Sequence, residues 1–316
     1  MTQTNAMRQL ITTLLPEHQI SRIDQQQMLV TLGNLTSLSV WYYRQAAHAQ
    51  TVVRALQLLH GESGIPQLWA ADPHGRISGQ AAVIVDAPQG QPLANLAGRL
   101  NHDQAYAVGR QLGTLVSRLH LTQCEAHGSL VGGARFDAAQ AHLLARFAES
   151  GIRLQEAGIA SASDINEMHT LLAALSADTQ GAPVLICGDI DPQSVLVERV
   201  GKSLQVRQLT SWSSAFAGRP AAEHVRLLDR FGGADWFSLR VGYGEAYDEN
   251  VQRPTDQLRE SAMQAEHIVW AMTKAGAYAR RNDRDRAHAH WTQVTRWLTN
   301  LDTDTNDPLF TSENEG

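Results

Sequence analysis

The sequence predicts an α+β protein of two lobes, with a small β-rich lobe over residues 1–88 and a mainly helical lobe over residues 89–301. Short runs of β-branched and aromatic residues dominate the first ninety positions of the 316-residue chain. A Pro- and Gly-rich segment, "APQGQPL" at 87–93, then marks a change to helical spacing of the apolar residues. The last residues, 302–316, are polar and acidic and predict a flexible tail.

The first lobe is predicted to contain five strands and one main helix. In chain order the predicted strands are "ISRID", "MLVTL", "SLSVWYYR", "IPQLWAAD" and "AAVIVDA". The helix "AQTVVRALQLLHG" falls between the third and fourth strands, because Val52, Leu56 and Leu59 repeat at helical spacing. Gly61 suits the position that follows a helix C-terminus.

The second lobe is predicted to be helical, with one β-hairpin inside it. The hairpin consists of "VLVERV" and "LQVRQL", joined by a turn at Gly201. Asp164 is predicted to be the N-cap of the third helix, with Glu167 completing a capping box. The segments with helical spacing are "DQAYAVGRQLGTLVSRLH", "FDAAQAHLLARFAESG", "INEMHTLLAALSAD" and residues 221–231, 256–278 and 284–300.

Composition excludes several classes of partner. The net charge is −6 and the pI is near 6.1, whereas binding to a phosphate backbone requires clustered Lys and Arg, so we expect no nucleic-acid partner. No apolar run reaches the roughly 18 residues of a membrane helix, and we expect no membrane segment. The N-terminus lacks the features of a signal peptide, and the two cysteines, Cys124 and Cys187, form no CxxC motif. These features predict a cytoplasmic protein.

Three segments of the second lobe carry a family resemblance. They are "CGDIDPQSVL" at 187–196, "LTSW" at 209–212 and "GRPAAE" at 218–223. In these segments, and in their order and spacing over nearly the whole chain, the protein resembles the aminoglycoside phosphotransferase family of small-molecule kinases. The motif of that family is H-G-D-x-x-P-x-N-x-L, followed by a hairpin, I-D-W and G-D-P. The resemblance implies a protein-kinase-like fold with a ligand cleft between its lobes, and ATP and Mg²⁺ as cofactors.

The resemblance also implies roles for individual residues. Asp189 matches the catalytic carboxylate that orients the substrate hydroxyl, although "GD" before "P" also suits an ordinary turn. Glu223 matches the acidic residue that braces the catalytic loop. The segment "IVDAPQGQPL" is similar to the hinge beside the nucleotide and contains Asp86 and Pro88. Arg44 falls near the position of the phosphate-binding lysine, where it keeps the charge but not the shape of lysine.

Other positions depart from the family pattern. Ser194 stands where the family has a metal-binding Asn, and Ser211 stands where it has a metal-binding Asp. A neutral hydroxyl is a poor substitute for a carboxylate on a hard divalent cation. Gln50 falls near the helix glutamate that would pair with the lysine. Asp191 is an additional carboxylate, and it could restore part of the lost metal binding.

The sequence leaves two functions open. The loss of both metal ligands favours a catalytically impaired protein, a pseudokinase that binds a small molecule, a metal-free nucleotide or a partner protein. The alternative is an active ATP-dependent phosphotransferase for a small hydroxylated metabolite or antibiotic, in which Asp189 orients the hydroxyl. In either case the cleft next to Asp189 and Ser211 is the expected ligand site.

Overall fold

The computed structural model of the chain describes residues 3–17, 20–24, 29–32, 36–177, 181–251 and 256–300. Strands dominate the first part and helices the second, so the two-lobed α+β architecture predicted from the sequence is confirmed. The predicted tail at 302–316 lies outside the described residues. Within them, no helix is long and apolar enough to cross a membrane.

A five-stranded antiparallel sheet forms the N-terminal lobe, and its strands match the five predicted ones. The order across the sheet is β1-β2-β3-β5-β4, and the central residues of β5 are buried because helices cover both faces. The strands are β1 (Ile20–Asp24), β2 (Leu29–Leu32), β3 (Thr36–Tyr43), β4 (Leu68–Asp72) and β5 (Ala81–Asp86).

One helix covers each face of this sheet. Helix α1 (Gln3–Leu14) packs Met7, Leu10 and Ile11, all fully buried, against one face. Helix α1 was not predicted from the sequence, because its apolar residues form only one narrow stripe among polar neighbours. Helix α2 (Ala46–Leu58) covers the other face and was predicted.

A second apolar core joins the two lobes. It extends from Leu56 of α2 through Leu112 of α3 (His102–Leu119) to Val197 in the hairpin of the second lobe. The backbone N–H of Leu209 also donates to the carbonyl oxygen of Gly64 across the same junction, at 2.9 Å. Because this core is continuous, the division of the chain at residue 88 stays a prediction.

The second lobe contains further helices, the predicted hairpin and several short strands. The sequence analysis missed the strands of two or three residues, which are too short to show an alternating pattern. The sheets have the orders β11-β10-β6 and β8-β7-β12-β9. The helices are α4 (Ala139–Glu156), α5 (Ala162–Leu175), α6 (Pro220–Arg230), α7 (Phe237–Asn250), α8 (Asp256–Arg280) and α9 (Arg284–Asn300). The strands are β6 (Gln91–Pro92), β7 (His127–Ser129), β8 (Arg135–Phe136), β9 (Val184–Ile186), β10 (Val195–Val200), β11 (Ser203–Leu209) and β12 (Phe216–Gly218).

The predicted N-cap of α5 is wrong. The N-cap is Ser161, whose hydroxyl accepts a hydrogen bond from the backbone N–H of Asp164 at 3.1 Å. The Asp164 carboxylate accepts in return from the backbone N–H of Ser161 at 3.2 Å. Both residue types suit an N-cap, and both have an acidic residue three positions further on, Asp164 and Glu167 respectively. The reciprocal hydrogen bonds form at Ser161, and the helix therefore begins earlier, at Ala162.

Glycines allow helices α3 and α7 to pack closely. A Cβ at Gly109 would lie 2.0 Å from the carbonyl oxygen of Leu239, and a Cβ at Gly242 would lie 2.3 Å from that of Tyr106. Helix α7 was not predicted from the sequence, because glycines lower helix propensity. Here the missing side chains permit the helix contact, and tertiary packing outweighs local preference.

Candidate ligand cleft and catalytic-type loop

A cavity of about 860 Å³ lies between β3 and the loops that precede β10 and follow β11. Four of the site residues predicted from the sequence line it, namely Pro88, Asp191, Ser194 and Ser211. Asp189, Asp86, Arg44 and Glu223 are not among its lining residues. The other lining residues are Ser39, Val40, Trp41, Tyr42, Tyr43, Gln80, Gln193, Thr210, Trp212 and Ser213.

Glu223 fixes the start of the loop that follows β9. Its fully buried carboxylate accepts hydrogen bonds from the backbone N–H groups of Cys187 at 2.5 Å and of Gly188 at 3.1 Å. Burial raises the pKa of Glu223 to about 7, an effect that the Arg226 charge and the two amides oppose. Glu223 therefore holds the first two residues of this loop by their backbone amides, and the role that the family resemblance implies for it stays a prediction.

Two arginines of α6 also contact this loop. Arg226 donates from Nη1 to the carbonyl oxygen of Gly188 at 3.0 Å, and its guanidinium lies 4.7 Å from the centre of the Phe216 ring. Arg230 reaches Asp189. Neither arginine was predicted from the sequence, although residues 223, 226 and 230 follow each other at steps of three and four. That spacing puts all three side chains on one face of the helix.

The Asp189 carboxylate forms an ion pair. Its Oδ1 accepts from Nη2 of Arg230 at 3.1 Å, and both side chains are partly exposed. Gly188, directly before it, has a φ of +82°, and a Cβ there would lie 2.5 Å from the carbonyl oxygen of Ser214. The loop thus requires glycine at 188, as a sharp turn does, and it directs Asp189 towards α6.

Asp191 and Ser194 close a tight turn. Oδ1 of Asp191 accepts from the backbone N–H groups of Gln193 at 2.9 Å and of Ser194 at 2.7 Å. The Ser194 hydroxyl, which is almost fully buried, accepts from the backbone N–H of Asp191 at 2.8 Å and donates towards the carbonyl oxygen of Asp189 at 3.1 Å. Both side chains at these predicted metal positions are therefore engaged in holding the turn.

The third predicted metal position is Ser211, which lies on the wall of the cavity. Its carbonyl oxygen accepts from the Cys187 thiol at 2.9 Å. Within the described residues there is no group of three or more His, Cys, Asp or Glu side chains that could hold a metal. Mg²⁺ requires several oxygen ligands in near-octahedral geometry. The two serines and the turn-forming Asp191 do not fit this requirement.

Residues 86–88 of the hinge offer no free main-chain donor. The N–H of Asp86 donates to the Gln67 carbonyl oxygen at 3.2 Å, that of Ala87 donates to the Ser37 carbonyl oxygen at 3.0 Å, and Pro88 has no N–H. The Asp86 carboxylate accepts from the backbone N–H of Gln67 and from the indole of Trp69, at 3.1 and 2.7 Å. Asp86 thus ties the end of β5 to β4.

The third strand presents aromatic residues to the interlobe core. Trp41 and Tyr43 pack against that core, whereas Val40 belongs to the core on the α1 side of the sheet. Arg44 follows the strand and is exposed, and its phosphate-binding role stays a prediction. Gln50, on α2, makes a 3.3 Å hydrogen bond with His74.

Solved structures of aminoglycoside phosphotransferases share this fold. The structure of aminoglycoside phosphotransferase APH(4)-Ia is 11% identical in sequence and matches with a TM-score of 0.63, covering 94% of this chain and 99% of that one. The GDP and kanamycin complex of APH(2")-IIia is 16% identical and matches with a TM-score of 0.60, covering 92% of this chain and 97% of that one. A ternary complex of an APH(4)-Ia mutant with AMP-PNP and hygromycin B matches at 0.62, with 10% identity, over 94% of this chain and 98% of that one.

These likenesses confirm the protein-kinase-like fold of the aminoglycoside phosphotransferases. No family model matches the sequence, and no curated protein matches it either. At such low identity the agreement extends to the arrangement of the elements, and the chemistry of the cleft depends on the residues of this chain.

Proposed function

We propose that this protein is a ligand-binding pseudokinase, a phosphotransferase-like fold whose cleft binds a small molecule without transferring a phosphoryl group. The turn formed by Asp191 and Ser194 carries this proposal. Ser194 stands at a metal position, yet its hydroxyl is buried and bonded to the backbone of its own loop.

The electrostatics of the loop support the same proposal. Phosphoryl transfer depends on charge stabilisation, and the metal ions supply most of it. The two carboxylates of the loop have other partners, since Asp189 pairs with Arg230 and Asp191 accepts two backbone amides. Ser211 adds only a neutral hydroxyl to the cavity wall. A transferred phosphoryl group would meet little positive charge here.

The second candidate is an active ATP-dependent phosphotransferase, and the Glu223 brace favours it. Glu223 accepts from the backbone N–H groups of Cys187 and Gly188, and Arg226 donates to the carbonyl oxygen of Gly188. Asp189, which follows directly, matches the catalytic carboxylate of the family motif. Neighbouring structures were solved with AMP-PNP and hygromycin B and with GDP and kanamycin, which makes the cleft the expected ligand site under either candidate.

Thermal-shift measurements with ATP and ADP, each with and without Mg²⁺, separate the two candidates. We expect Mg²⁺ to change the melting temperature of the nucleotide-containing samples by less than about 1 °C, because a metal bridge between protein and nucleotide is missing. The variant S211D, which adds a carboxylate to the cavity wall, is the matched comparison. A clear Mg²⁺-dependent stabilisation of the wild-type protein by ATP would favour the active enzyme.

A further inference from the structure

The wall of the cavity combines aromatic rings with hydroxyl groups and carries little charge. Trp41 and Tyr43, both half-buried, contribute rings, whereas the Trp212 side chain is buried and its indole N–H donates to the carbonyl oxygen of Leu209 at 2.8 Å. The hydroxyl-bearing residues of the wall are Ser39, Ser194, Thr210, Ser211 and Ser213. Asp191 is the one charged residue among the described residues that line the cavity, and none of them is Lys or Arg. The wall is therefore neutral to slightly negative.

The lysines and the arginines next to the loop and to β3 lie outside the lining of the cavity. The sequence contains two lysines, and neither lies in the N-terminal lobe. Lys202 is in the exposed turn between β10 and β11, and Lys274 pairs with Asp229 at 2.6 Å. Arg230 pairs with Asp189, and exposed Arg44 lies outside the lining. Among the described residues, the wall itself thus supplies no cation to a phosphate chain.

This distribution of charge favours some ligands over others. A nucleoside triphosphate carries several negative charges, and sites that bind phosphates provide Arg, Lys or a metal. Asp191 would repel such a ligand rather than bind it. Planar uncharged rings can stack on the indole of Trp41 and the phenol of Tyr43, and hydroxyls of a ligand can pair with the half-buried Ser211 and Ser213. A cavity of about 860 Å³ is within the size range of small-molecule sites.

We propose that the cleft binds an uncharged, planar molecule that bears hydroxyl groups, of the nucleoside class, and discriminates against nucleoside triphosphates. This inference rests on the proposed function, since it specifies the ligand class of the same pseudokinase cleft. The ring of the ligand lies against the aromatic residues of β3, and its hydroxyls face the serines at 211 and 213.

Isothermal titration calorimetry of the full-length protein with adenosine, guanosine and ATP, all without divalent metal, tests the ligand class. The expected result is that at least one nucleoside binds about tenfold or more tightly than ATP, because it avoids the unpaired phosphate charges. ATP binding as tight as or tighter than both nucleosides would overturn the inference. Absence of binding by both nucleosides would overturn it as well.

A pair of variants at Tyr43 tests the electrostatic reason directly. Tyr43 lines the cavity at the end of β3 and is half-buried. Y43K adds a cation to the wall, and Y43M replaces the same ring with an uncharged chain of similar length. ATP should bind Y43K about tenfold more tightly than Y43M, whereas nucleoside binding should differ little between them. Equal ATP affinity for the two variants, with both melting as folded proteins, would contradict the charge argument.

The failure of this inference is distinguishable from the failure of the proposed function. Tight metal-free ATP binding without release or transfer of the γ-phosphate would remove the discrimination against triphosphates and leave the pseudokinase proposal standing. Mg²⁺-dependent transfer of the γ-phosphate would remove the proposed function itself.

Discussion

The brace at Glu223 gives the largest expected effect of a single substitution near the loop. In Glu223→Ala the backbone N–H groups of Cys187 and Gly188 lose their acceptor inside the protein. Each buried amide left without a partner costs about 1–3 kcal/mol, so the two together cost roughly 4 kcal/mol. The buried Arg226 guanidinium also loses a neighbouring carboxylate, which adds to the loss.

A more conservative variant separates hydrogen bonding from charge. Glu223→Gln retains one acceptor oxygen but directs an NH₂ group at the other backbone N–H, and we expect it to cost roughly half as much as the alanine variant. Glu198→Ala is the surface control, because Glu198 pairs with Arg207 on the exposed side of the hairpin. Exposed ion pairs contribute up to about 1 kcal/mol.

Urea unfolding followed by circular dichroism measures these differences as free energies of unfolding. The reasoning requires the order Glu223→Ala, then Glu223→Gln, then Glu198→Ala, from the largest loss to the smallest. If Glu223→Ala lost no more stability than Glu198→Ala, the two amides would not depend on Glu223, and the account of the loop would be wrong.

Three further predictions concern other parts of the molecule. Arg230→Gln frees Asp189, but it should change the free energy of unfolding by less than about 1 kcal/mol because the ion pair is partly exposed. It should also produce no phosphotransfer, because the metal ligands are still missing. A gain of ATP-dependent transfer in a coupled assay would contradict this prediction. Burial lowers the pKa of His142 to about 4, so the native state binds fewer protons than the unfolded chain below pH 6.5, and about 3 kcal/mol of stability should be lost as the pH falls from 6.5 through 4. His142→Phe should reduce this pH dependence of the free energy of unfolding, measured by urea titration at several pH values. An unchanged pH dependence in the variant would contradict the role of His142. Gly109→Ala should destabilise the protein by about 2 kcal/mol or more, because the new Cβ would clash with the backbone carbonyl of Leu239. Gly244→Ala should stabilise it by about 0.5–1 kcal/mol, because a Cβ there meets nothing within 4 Å. Equal melting temperatures for the two variants would refute the close helix contact.

The sequence predicted those parts of the fold in which local pattern and tertiary structure agree. All five strands of the N-terminal sheet were predictable, because strands with a buried face alternate or run apolar over several residues. Helix α7 was not, because Gly242 serves a contact with α3 that no local rule contains. The N-cap of α5 was misplaced because Ser161 and Asp164 have the same local preference, and the reciprocal hydrogen bonds at Ser161 decided between them.

Four of the eight predicted site residues line the cavity, and the hydrogen-bond partners around the loop were not predictable. The motif "GDIDPQSVLV" located the loop, and Pro88, Asp191, Ser194 and Ser211 do come together around one cavity. The pairing of Asp189 with Arg230 depends on how α6 packs beneath the loop, which the sequence does not encode within a short window. The enclosure of the Ser194 hydroxyl by its own turn depends on backbone geometry at 189–191 and is visible only in the structure.

The absence of phosphoryl transfer is the central claim, and a direct turnover measurement tests it. The release or transfer of the γ-phosphate from ATP in the presence of Mg²⁺ is followed for the wild-type protein and for Asp189→Asn, with small hydroxylated acceptors and antibiotics supplied as substrates. The account predicts that the two proteins are indistinguishable and that both are at background. Mg²⁺-dependent turnover that the wild-type protein shows and Asp189→Asn lacks would contradict it.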